Sequence, residues 1–134
     1  MPRITGQFDV TLVAQPHEEQ VGDPAIGRRS IDKHFHGELD AHSLGQMLAA
    51  GGSVPGSAGY VAIEKVTGTL AGRQGSFVLQ HNGTMNRGQP TLTIHVVPDS
   101  GSDALTGLTG NMAIRIEDGQ HFYDFDYALP DSAQ

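Results

Sequence analysis

The chain is 134 residues long, a length that suits one domain over 1–134 with an ordered core from about 6 to 130. It carries 15 acidic against 8 basic residues, a formal net charge of −7. That balance, with Arg28 and Arg29 as an isolated basic pair, argues against nucleic acid as the main partner, and the absence of cysteine excludes disulfides, thiolate metal sites and cysteine nucleophiles. No apolar run approaches the roughly 20 residues of a membrane span, and MPRITGQFDV lacks a signal-peptide stretch, so a soluble, cytoplasmic protein with no membrane partner is expected.

Residues 6–14 alternate, with Phe8, Val10, Leu12 and Ala14 on one face, as in a half-buried strand. Residues 15–28 hold Pro16, Gly22, Pro24 and Gly27 among charges and read as a loop. Residues 29–40 alternate again, with Ile31, Phe35 and Leu39 opposite Asp32, His34, His36, Glu38 and Asp40. Over 43–50, Ser43 and Gln46 fit a capping box before a short helix, but the same residues also continue a strand through Gly45. Strands follow at about 60–70 and 75–85, joined by a turn near Gly72 to Gly75, and at about 90–97. The loop from Pro98 to Gly110 contains LTGLTG. A strand over 111–117 turns at Asp118-Gly119 into a last strand over 120–129, and the tail DSAQ is expected to be disordered. Seven or eight strands with at most one short helix, and turns every ten residues or so, predict an all-β antiparallel sandwich or barrel.

Three segments carry a resemblance: GSAGYVAIEKVTGTLAGRQGSFVLQHNGTM, LTGLTGNM and HFYDFDYALP. They resemble a bacterial domain-of-unknown-function family, number thirty-two twenty-four, over nearly the whole chain. The family is in turn similar to the allene oxide cyclase barrels. The resemblance implies a small closed antiparallel β-barrel of about eight strands with an internal cavity, a small apolar molecule as partner, and homo-oligomers. It also implies that QHNGTM is continuous strand, although Asn82-Gly83 looks like a hairpin turn. It implies a glutamate where this chain has Gln46, so any role of that glutamate is absent here.

Alternation sorts the candidate chemistry. Phe77, Leu79, His81 and Met85 share a face, which points His81 inward; His121, Tyr123, Phe125 and Tyr127 share another. Tyr60, Ala62, Glu64 and Val66 share a face that, if inward, makes Glu64 a buried carboxylate. Glu64 and His81 are then the acid–base candidates for isomerising or cyclising a small apolar substrate, with Tyr60, His121, Tyr123, Tyr127, Gln80 and Gln46 as substrate-binding residues. The competing readings are a passive binding barrel for an apolar metabolite, or a polar network that only holds the barrel together. No cofactor is expected: GGSVPGSAG lacks the ending of a phosphate loop. An alternative metal site uses His34 and His36, alternate residues on one strand, with Glu38, Asp40 or His42 as further ligands.

Overall fold

The computed structural model describes residues 2–18 and 22–130; the DSAQ tail lies outside the described residues. Eight antiparallel strands, each paired with its chain neighbour, close into a barrel in which β1 (Arg3–Gln15) meets β8 (Gln120–Ala128). Between them run β2 (Gly27–Phe35), β3 (Leu39–Gly51), β4 (Ala58–Leu70), β5 (Arg73–Asn86), β6 (Gln89–Val96) and β7 (Thr109–Glu117). Among the described residues the helical content is one 3₁₀ turn, Asp103–Leu105. Two-residue turns with positive φ at both positions, Ala71-Gly72, Arg87-Gly88 and Asp118-Gly119, make three of the hairpins, as the right-handed twist of paired strands requires.

One expectation changes and two open points are decided. Residues 29–40 are not one strand but β2, a turn at His36-Gly37-Glu38, and the start of β3. A three-residue connection preserves parity, so Phe35 and Leu39 both still point inward and the alternation hides the turn. Residues 43–50 are strand throughout, because β3 is paired along its length with both β2 and β4. Asn82 and Gly83 lie inside β5, opposite Val61 and Tyr60, as the resemblance implied.

The two ends of the barrel differ. At one end Phe35, Leu39, Leu70, Phe77, Phe125 and Tyr127 form a dry core, closed by Leu105 and Leu108 from the segment that follows β6. Ser102 ties that segment to β5: its N–H donates to the Ser76 carbonyl at 2.9 Å. At the other end, Leu12, Met85, Leu92 and Ile116 have inward parity yet are 41–66% exposed, so the mouth is open and apolar. Among the described residues no helix is long and apolar enough to cross a membrane.

Gly45 makes room for Glu64 on the neighbouring strand. A Cβ at position 45 would lie 2.2 Å from the Ile63 carbonyl oxygen and 2.6 Å from the Glu64 Cα, and neither backbone atom can yield without moving β4. Gly45→Ala is therefore expected to lower the urea unfolding free energy by about 1–3 kcal/mol or more. Gly27→Ala, where the nearest atom is 3.9 Å away, should stay within about 0.5 kcal/mol of wild type.

Candidate functional site

Four neighbouring strands each send a polar side chain into the barrel. Lys33 (β2) and Ser43 (β3) are directly opposed, Glu64 (β4) lies across from Gly45, and His81 (β5) lies across from Ala62. All four are buried, Glu64 and Ser43 completely. The Glu64 carboxylate accepts Lys33 Nζ at 2.9 Å and His81 Nε2 at 2.6 Å on Oε2, and Ser43 Oγ at 2.6 Å on Oε1. His81 Nδ1 reaches the Tyr60 hydroxyl at 3.2 Å. The Lys33 ammonium also lies over the rings of Phe8 and Phe35, 5.0 and 5.4 Å from their centroids, where it is stabilised by cation–π attraction.

Burial would push the Glu64 carboxyl up, but the hydrogen bonds and positive charges of His81 and Lys33 together outweigh it and bring the group down from 4.5 to about 2. Glu64 is therefore an ionised anchor at neutral pH. It holds the proton of His81 on Nε2, so in the neutral ring Nδ1 accepts from Tyr60 and in the imidazolium it donates to Tyr60. Burial, and then the Glu64 charge, raise the Tyr60 phenol above its usual value, which keeps it a protonated donor.

Tyr60 is where this chain of contacts meets solvent. An apolar groove of about 330 Å³ opens in the mouth of the barrel, lined by Met47, Ala49, Tyr60, Met85, Pro90 and Leu92 among others, with Gly83 under the Tyr60 ring. The other substrate-binding candidates are elsewhere. Gln46 and Gln80 are exposed on the outer wall, because they alternate with Gly45 and with the inward pair Leu79 and His81. Tyr123 and Tyr127 belong to the closed end. The Tyr123 hydroxyl donates to the His36 carbonyl at 2.8 Å and accepts the Leu39 N–H at 3.3 Å, clamping the β2–β3 turn. His121 is half-buried against Phe8, with ring centroids 5.1 Å apart, and is not among the groove residues.

Lys33 was absent from the sequence reading, and Ser43 entered it only as a capping residue and not as a partner of Glu64. The available signal was parity: Lys33 falls midway between the inward Ile31 and Phe35, but lysine in a strand usually marks solvent. The histidines of the proposed metal pair separate. His36 sits in the turn, its Nε2 2.8 Å from Asp9, while His34 stacks on His42 at 4.3 Å with Asp32 beside both.

Two outcomes follow from the buried charges. Glu64→Leu leaves the Lys33 ammonium buried without its counter-ion and should cost about 3–5 kcal/mol in urea unfolding, most of it restored when Lys33→Met is added. The depressed Glu64 carboxyl contributes about 3 kcal/mol of stability that is complete above its unfolded value of 4.5 and lost as pH falls from there towards about 2. Acid unfolding of the Glu64→Leu/Lys33→Met protein should lack that component.

The comparisons with known proteins agree with this architecture. The chain matches the model of a family described as protein of unknown function (DUF3224) over residues 4–127. It is also similar to a crystal structure, at 1.84 Å resolution, of a protein with unknown function from the same family in Shewanella oneidensis MR-1. That likeness has 53% identity, a TM-score of 0.90, and coverage of 98% of this chain and 99% of that one. No curated protein matches the chain. A family model spanning nearly every strand, and a relative sharing half its residues over the whole barrel, establish that this chain belongs to the DUF3224 family.

Proposed function

We propose that the barrel binds a small apolar molecule bearing one oxygen, held in the open mouth with that oxygen on the Tyr60 hydroxyl. The carrying observation is the groove itself. Its volume falls at the lower end of the range of about 300–1,000 Å³ typical of small-molecule sites, its walls are aliphatic, and Tyr60 brings a hydroxyl to it. Glu64, which the sequence reading paired with His81 as acid and base, supports such binding from behind. It is fully buried and strongly acidic, so it orients His81 and does not take protons from a substrate.

The relay from Tyr60 through His81 to Glu64 favours a second reading, acid–base isomerisation. The carboxylate orients the imidazole as in hydrolase triads, and the phenol passes a proton between the imidazole and a bound carbonyl compound. One set of experiments separates the readings. Binding of cyclic ketones and of the matching hydrocarbons is followed by displacement of a fluorescent naphthalene sulfonate. Tyr60→Phe should weaken ketone binding about five- to tenfold and leave the hydrocarbons unchanged. Binding that is indifferent to Tyr60→Phe and to filling the groove by Ala49→Phe overturns the site. Deuterium uptake next to the ketone carbonyl in heavy water, lost in His81→Gln, selects isomerisation; binding without uptake selects the passive barrel.

A further inference from the structure

On the outer wall, far in character from the apolar mouth, we infer that Asp32, His34 and His42 form a binding site for one divalent transition-metal ion. His34 on β2 and His42 on β3 are directly opposed across the ladder, and Asp32 is two residues before His34, so all three side chains leave the same face. The imidazole rings are stacked, with centroids 4.3 Å apart and planes 9° from parallel. Asp32 Oδ1 lies 2.7 Å from His42 Nε2 and 4.0 Å from His34 Nε2, and one donor atom from each of the three residues falls within 4.8 Å of the others.

Metal–ligand bonds of about 2.0–2.1 Å in a tetrahedron set neighbouring donor atoms roughly 3.3 Å apart. The two spacings to Asp32 bracket that value. All three side chains are about half exposed, so small rotations of the rings complete the set without moving the strands. Two imidazoles and one carboxylate suit zinc, nickel or copper, with water in the remaining position, and do not suit calcium or magnesium. His36 stays outside the set because its ring is engaged by Asp9.

Titration of the untagged protein with zinc chloride at pH 7.5, followed calorimetrically, tests this assignment. One zinc per chain is expected, with the imidazole resonances of His34 and His42 shifting together and that of His36 unmoved. His34→Ala and His42→Ala should each weaken binding by at least about tenfold, and Asp32→Asn by less. His36→Ala and His95→Ala should match wild type. The three ligands are exposed, so far-ultraviolet circular dichroism should confirm that every variant keeps the barrel. The assignment is overturned by the absence of saturable binding up to about millimolar zinc, or by binding that survives loss of both His34 and His42.

Discussion

A carboxylate enclosed in an apolar barrel is the constraint on which the rest of this structure depends. Glu64 has no solvent, so its charge must be matched inside the protein, and Lys33, Ser43 and His81 supply three donors from three other strands. Such an arrangement tolerates no register error. A slip of one residue in β2, β3 or β5 would turn a donor of the Glu64 carboxylate to the outside, and a slip in β4 would turn out the carboxylate itself and leave the Lys33 charge uncompensated within. The network thus specifies the pairing of half the barrel, while hydrophobic packing at the closed end provides the bulk of the burial.

Close packing around the network is managed by small residues set opposite large ones. Gly45 faces Glu64 and Gly83 lies under Tyr60, so each bulky inward side chain crosses a strand that has none at that point. An eight-stranded barrel has just enough interior for its own side chains. Here the filling stops short of one end. Leu105 and Leu108 seal the far end and Tyr123 pins its turn, whereas the mouth keeps an apolar groove with Tyr60 at the boundary between polar interior and solvent. Groove and charge network therefore meet at one hydroxyl, and that junction is the chemical feature of the barrel's interior.

The period-two pattern made much of this legible. It predicted the strands and pointed His81 inward, left open which face of 60–66 is inside and the nature of 43–50, and missed the β2–β3 turn. It was weakest where a residue's usual habitat contradicts its position. Lys33 reads as surface, and only the aromatic rings of Phe8 and Phe35 and the Glu64 carboxylate make its burial tenable. Gln46 and Gln80 fall on the outer face by the same parity that buries His81. His34 and His36 share parity along the chain, but the neighbour that matters for His34 is His42, across the ladder rather than along it.

Alternation, turn chemistry and family resemblance by themselves determined an all-β closed barrel and which residues of each strand share a face, because side-chain direction in a strand follows from sequence position alone. The tertiary structure decided which inward residues meet, which end is sealed, and that Glu64 is an ionised anchor whereas Tyr60 is the group at the groove. Those outcomes depend on cross-strand register and on the path of the 97–108 segment, which join residues distant in sequence and leave no periodic trace in it.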